Sequence, residues 1–242
     1  MKVDLFLTPF PFKDTTKKGK AVVAIDVLRS STSTCAALMN GTKGVIPSPG
    51  SVEAGEMRAK IGSDISLLAG ERDNVKIENF DLGNSPAEFT EAIVKDKMII
   101  MTTSNGTAIF SMANNAELVI NCALVNISKV AEKIADTNLD LIIVCAGQKG
   151  GFSIEDTICA GMLIYTLNVK NNIETVLNDA GTLALLLYRT NKTALVKVIQ
   201  QGEHGRRLAL DGFADDVTNA AVVDSMPVLP VLSDGRLTVE NL

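Results

Sequence analysis

The chain has no tryptophan, only two tyrosines and a single histidine among its 242 residues. An aromatic platform for stacking nucleobases therefore has almost nothing to be built from. Lys and Arg total 23 against 28 acidic residues, for a net charge of −5, and no dense basic tract occurs. The electrostatic footprint of a nucleic-acid binder is missing. No apolar run approaches the ~20 residues that a membrane-crossing helix needs, so no membrane span is expected. Residues 1–7 are interrupted by Asp4, and no small-residue cleavage site follows. They read as a first strand rather than a leader. The four cysteines, Cys35, Cys122, Cys145 and Cys159, fall singly in apolar segments with no CxxC pair. That excludes the common zinc and dithiol motifs and predicts reduced core thiols in a cytoplasmic protein.

What the chain has is alternation. Short apolar runs and helical patterns succeed one another almost from end to end, the arrangement that builds α/β architecture around a substantially parallel sheet. Strands are predicted over 2–7, 20–27, 43–47, 65–69, 97–102, 117–121 and 140–145, and helices over 31–40, 51–61, 86–94, 105–113 and 127–136. From Ser153 to about residue 223 helices dominate, and 227–239 then reads as two strands joined by a turn at Ser233-Asp234-Gly235-Arg236. The expected fold is a layered α/β/α unit with a largely parallel or mixed sheet. It is read as one unit over 1–242, with 1–120 and 121–242 as candidate sub-lobes flanking a cleft. The apolar stretches 183–188 and 194–199 are read as core before subunit interface, with a homodimer as the assembly to consider.

Residues 21–34 pass from an apolar run into Asp26, then Arg29, then Ser30-Ser31-Thr32-Ser33-Thr34. A strand of that composition is buried on both faces, so Asp26 emerges at its carboxyl edge, where open α/β sheets place ligands. Arg29 grips an anion through its planar fork, and Ser30 and Ser31 add hydroxyls beside the amides of a helix start. A helix dipole supplies only about 0.3–1 kcal/mol, whereas phosphate-ester hydrolysis needs roughly 20 kcal/mol of barrier lowering. A phosphate handled chemically here needs help, and Asp26 is a natural hard ligand for Mg²⁺. The same pattern is also that of a plain helix cap.

Further strand ends repeat this logic. Ala69-Gly70-Glu71-Arg72 closes a strand with an acid that suits a metal and a base that suits an anion, or with an ordinary surface ion pair. Asp81-Leu82-Gly83-Asn84-Ser85-Pro86 offers Asn84 and Ser85 at a helix start. Thr102-Thr103-Ser104-Asn105-Gly106-Thr107 clusters donors around a glycine that admits a ligand to the main chain. It lacks the GxxxxGK[ST] pattern, which argues against nucleoside-triphosphate binding of that type. Glu155 and Asp156 follow a glycine-rich strand exit, where they suit an oxygen-ligand site, although Ser153 and Asp156 also match a capping box. The one histidine, His204, sits in Glu203-His204-Gly205-Arg206-Arg207, a setting for an anion-facing proton donor.

Taken in order, IDVLRSSTS, AGER, FDLGNSP, TTSNGT, CAGQKGGFSIEDTICAG and EHGRRL resemble the 2-phosphosulfolactate phosphatase family. The resemblance implies Mg²⁺-dependent hydrolysis of (2R)-2-phospho-3-sulfolactate to 3-sulfolactate and phosphate, a step of coenzyme M biosynthesis. It also implies an α/β fold distinct from the haloacid dehalogenase phosphatases. The residues agree, since Leu28 stands where a dehalogenase-type site has its second Asp. After Arg29 the chain reads Ser30-Ser31-Thr32 in place of the usual Ala-Thr, which keeps the hydroxyls. On this reading Asp26, with Glu155 or Asp156 and with Glu71, holds Mg²⁺ against the phosphate, while Arg29 and Arg72 bind its oxygens. The Asn84-Ser85 turn and the turn bearing Thr103, Asn105, Gly106 and Thr107 complete the pocket. A metal-positioned water attacks in line and His204 protonates the leaving oxygen. The expected partner is a small anionic phosphate ester. Two rivals stand beside it: a phosphatase of other 2-hydroxy acid phosphates, and a noncatalytic anion-binding protein using the same loops.

Overall fold

The computed structural model describes residues 1–113 and 115–240. The strands are β1 (Lys2–Phe6), β2 (Lys20–Ile25), β3 (Gly44–Pro47), β4 (Ser66–Arg72), β5 (Val75–Lys76), β6 (Met98–Thr102), β7 (Leu118–Cys122), β8 (Asp140–Cys145), β9 (Val176–Leu177), β10 (Pro230–Ser233) and β11 (Arg236–Val239). They form one sheet in the order β5-β4-β6-β3-β11-β10-β7-β2-β8-β1-β9. The helices are α1 (Pro9–Phe12), α2 (Ser30–Met39), α3 (Ser51–Ile61), α4 (Glu91–Val94), α5 (Thr107–Met112), α6 (Ile127–Ala135), α7 (Ile154–Val169), α8 (Asp179–Asn191), α9 (Leu195–Gln201), α10 (Glu203–Leu210) and α11 (Ala214–Ala220). Among the described residues no helix is long and apolar enough to cross a membrane.

The two-residue period of a strand decides the layering. Along β2, Ala21, Val23 and Ile25 join one apolar cluster with residues of α6, α7 and α8, while Val22 and Ala24 join another with Ala36 and Ala37 of α2. β8 divides the same way, with Leu141, Ile143 and Cys145 on one side and Ile142 and Val144 on the other. Both faces are therefore covered, which is why these runs carry no polar alternation. All four cysteines are buried and free.

Within the sheet, β4, β6 and β3 are mutually parallel, and so are β7, β2, β8, β1 and β9. The β10–β11 hairpin lies between these blocks, antiparallel to β7 on one side and to β3 on the other. Three antiparallel steps reverse strand sense, so the two blocks run in opposite directions. Each seam is a single residue pair, Val231 with Ile120 and Leu237 with Val45. The carboxyl ends of the two blocks nevertheless share one crevice: Asp26 follows β2, Glu71 ends β4 and Thr103 follows β6, and all three line the same pocket.

Two expectations change. The helix predicted over 86–94 is split into a short 3-10 turn, Pro86–Glu88, and α4, because Phe89 is fully buried and Thr90 is extended. Burying that ring outweighs helical continuity. The helical stretch after Ser153 is also interrupted, by β9 pairing with β1 at the sheet edge. The tail hairpin forms where expected, with Asp234 and Gly235 both at positive φ (50° and 76°), as a two-residue primed turn requires.

α7 and α8 approach unusually closely at Gly161, where a Cβ would lie 2.0 Å from the Ala184 carbonyl oxygen. A backbone oxygen cannot swing aside. Gly161→Ala is expected to cost about 1–3 kcal/mol by overpacking. That corresponds to a fall in Tm of roughly 2–4 °C per kcal/mol, measured by thermal melting.

Candidate active site

At the end of β2 the Asp26 amide donates to Ser31 Oγ (3.0 Å), and the Ser31 amide donates to the Asp26 carbonyl (2.8 Å). This double tie turns strand directly into α2 and leaves the Asp26 carboxylate to line the pocket. Burial pushes that carboxyl well above its ordinary pKa; the charges of Asp156, Glu71 and Glu155 add to the rise, and the Ser30 amide opposes it. An acid so placed resists ionisation unless a cation joins it. Gly106 packs against the same group: a Cβ there would lie 2.3 Å from Asp26 Oδ2 and 3.0 Å from Ser30 Cβ.

The opposing block supplies Glu71. Gly70 passes so near Thr102 that a Cβ would lie 2.2 Å from its carbonyl oxygen, so only glycine lets β4 and β6 run together here. Glu71 accepts from the amides of Asn74 and Ser104, each at 2.9 Å. Those bonds fix it beside the Thr103 turn, where the Thr107 amide donates to Thr103 Oγ1 (3.4 Å).

Arg29 is held from two sides. Its Nη1 donates to Asp216 Oδ2 at 2.8 Å, its guanidinium carbon lies 4.1 Å from the Phe213 ring centre, and Ser85 Oγ donates to the other Asp216 oxygen at 2.7 Å. The Leu28–Arg29 peptide is cis. The Asp216 ion pair and the Phe213 ring together fix a guanidinium that also lines the pocket. His204 lines it too, with Nδ1 3.3 Å from Glu155 Oε1 and Nε2 3.4 Å from Asn74 Oδ1.

Of the residues singled out from the sequence, Asp26, Arg29, Glu71, Asn84, Thr103, Asn105 and His204 line one pocket. Ser30, Ser31, Ser85, Gly106 and Thr107 form the layer behind it. Arg72 stands outside: it is exposed, and its guanidinium donates to Thr102 Oγ1 (3.1 Å) and to the Glu71 carbonyl (2.7 Å). Asp156 is a clasp, accepting from the Val27 amide (2.8 Å) and the Gly147 amide (3.0 Å). Burial first, then the charge of Glu155, lifts its carboxyl to about 7, while the two amides oppose the rise.

The four carboxylates expected around a cation thus have different surroundings, and no three acidic, His or Cys side chains converge as a ready metal cage among the described residues. Of those four, Asp26 and Glu71 line the pocket, and nearby Asn84 carries a buried Oδ1 with no hydrogen-bond partner. Two hard carboxylates and an orphaned carbonyl oxygen suit Mg²⁺, which is usually held by one or two carboxylates and keeps several waters.

The family model described as 2-phosphosulpholactate phosphatase matches residues 7–235, spanning every element of this pocket. The chain belongs to the 2-phosphosulpholactate phosphatase family. A protein of Caldanaerobacter subterraneus subsp. tengcongensis named "Probable 2-phosphosulfolactate phosphatase" is 40% identical over 218 residues, covering 90% of each chain. Proteins of the same name are 36% identical in Clostridium botulinum (strain Eklund 17B / Type B), over 94% of this chain and 96% of the relative, and in Clostridium acetobutylicum, over 98% and 100%.

In this member of the 2-phosphosulpholactate phosphatase family, several site residues carry no local mark of their role. Asn74 and Asp73 form the β4–β5 turn, both at positive φ (70° and 50°), and line the pocket with Ser104, Gln148 and Lys149. The Asp73-Asn74 dipeptide is a turn signal that sequence could have supplied. Nothing local points to Asp216, 187 residues from the arginine it braces.

Proposed function

We propose that the pocket hydrolyses 2-phosphosulfolactate to 3-sulfolactate and inorganic phosphate with the help of Mg²⁺. The observation that carries this reading is the meeting of two buried carboxylates, Asp26 and Glu71, with a braced Arg29 in one crevice of a chain that belongs to this family. Asp26 and Glu71 would hold the ion, with Asn84 Oδ1 able to accept from one of its waters. When bound, Mg²⁺ supplies positive charge against the phosphoryl oxygens and offsets the burial, and the like charges beside it, that lift the Asp26 carboxyl.

The chain's own groups do the rest. Arg29 offers a forked donor whose direction Asp216 and Phe213 have already fixed, so little rotamer freedom is lost when an anion arrives. Asn105 and Gln148 join through their side-chain amides (3.3 Å), and Lys149 lines the same mouth, giving the acid and sulfonate groups polar neighbours. His204 supplies the proton for the leaving oxygen. Four buried free thiols suit a reducing compartment, and we place the protein in the cytoplasm.

The test is phosphate release across a panel. 2-Phosphosulfolactate is expected to turn over with kcat/KM at least tenfold above that of 2-phospholactate, which lacks the sulfonate. Equal rates would favour a general phosphatase of 2-hydroxy acid phosphates, and saturable binding without release on any ester would leave an anion-binding protein.

A further inference from the structure

Glu155 does not face the pocket; its Oε1 faces the ring of His204 from behind, 3.3 Å from Nδ1, and both side chains are buried. On the other side, Nε2 faces Asn74 Oδ1 at 3.4 Å. The orientation of that amide is set by Asp211, whose Oδ2 accepts from Asn74 Nδ2 at 2.9 Å. A carboxylate only accepts, so Asp211 claims the amide's NH₂ and turns its oxygen toward the histidine. The chain Asp211, Asn74, His204, Glu155 therefore has acceptors at both ends and one direction of donation along each half.

We infer that Glu155 is the positioning residue of His204, holding a proton on Nδ1 in both charge states of the ring, so that the doubly protonated ring gives its Nε2 proton to the leaving oxygen and is left neutral with Nδ1 protonated. The partner at one ring nitrogen decides which proton stays and which one moves. The Nε2 contact with Asn74 is long, and an ester oxygen entering the pocket replaces it. As the bond from phosphorus to the ester oxygen breaks and the bond to the water oxygen forms, the Nε2 proton passes to the leaving oxygen. Of the two protons on the attacking water, one stays on the product as HPO₄²⁻ and the other restores Nε2. The charged groups sharing the pocket with this ring are Asp26, Arg29, Glu71, Asp73 and Lys149. The catalytic part rests on the phosphatase reading above; the position of the retained proton does not.

Because the chain has one histidine, imidazole ¹⁵N labelling reports this ring alone. The wild-type neutral ring is expected to carry its proton on Nδ1, the less common tautomer, and Glu155→Gln to move it to Nε2. Asn74→Ala should leave the Nδ1 proton in place, which separates the carboxylate's effect from general disturbance of the pocket and serves if Glu155→Gln folds poorly. In turnover, Glu155→Gln is expected to lower kcat for 2-phosphosulfolactate by about 10²-fold, the scale of lost general-acid help, with KM within about twofold. A wild-type neutral ring protonated on Nε2 would overturn the inference, and so would unchanged kcat in a Glu155→Gln protein whose tautomer has switched. If wild type hydrolyses no ester at all, the phosphatase reading fails, while the spectrum still decides where the proton sits.

Discussion

Asp26→Asn is expected to lower kcat/KM for 2-phosphosulfolactate by roughly 10³-fold, the scale of removing a group that acts electrostatically at a reacting centre, while raising the Tm of the metal-free protein. Both effects come from one cause. The carboxylate is buried beside Asp156, Glu71 and Glu155, so folding forces together charges that the unfolded chain keeps in water. Asparagine keeps the shape and removes the charge, so the fold gains what the site loses. The pH dependence follows in sign. An acid whose folded pKa is raised binds more protons folded than unfolded, so its contribution to stability falls as pH rises from the ordinary value of 3.8 through about 7 for Asp156. With EDTA present, Tm of wild type is expected to rise between pH 8 and pH 5, and Asp26→Asn should show a shallower slope. Thermal melts across that range check both, and a lower Tm for the variant would count against a charge-strained site.

Gly106→Ala is expected to cost about 10²-fold in kcat/KM with the fold intact. Its backbone (φ −72°, ψ −38°) is one that alanine adopts readily, so no strain arises from the chain itself. The added Cβ instead meets Asp26 Oδ2 at 2.3 Å and must rotate that carboxylate away from the pocket. Displacement of a catalytic group by about 1 Å is enough for a loss of this size. Steady-state kinetics beside circular dichroism separate the outcomes: a folded variant with wild-type activity would mean that the position of Asp26 is unimportant to turnover.

How far the sequence spoke depends on how local each cause is. β2 and β8 were legible because strands buried on both faces read as unbroken apolar runs, and the Asp234-Gly235 turn because its positive φ angles select those residues. The place of that hairpin was not legible, since it enters mid-sheet through one residue pair on each side and leaves no pattern behind. The same division runs through the site. Asp26 is marked by the strand end it follows. The clasp formed by Asp156 is not, because one of its amide partners, Val27, lies 129 residues away. Glu155 and Asp156 are neighbours of identical promise in the sequence, yet helix geometry sends one to the ring of His204 and the other to the backbone after β2. Arg72 beside Glu71 looked like a second anion grip, but alternation along β4 sends adjacent side chains to opposite sides.

The most direct measurement is phosphate release from 2-phosphosulfolactate by protein stripped of metal and then titrated with Mg²⁺, in wild type and in Asp26→Asn. Release is expected to be at background with EDTA, to recover saturably with Mg²⁺ in wild type, and to stay near background in the variant. Full release in EDTA, or near-normal Mg²⁺-supported release by Asp26→Asn, would contradict a site in which two opposed strand ends join their carboxylates around a cation.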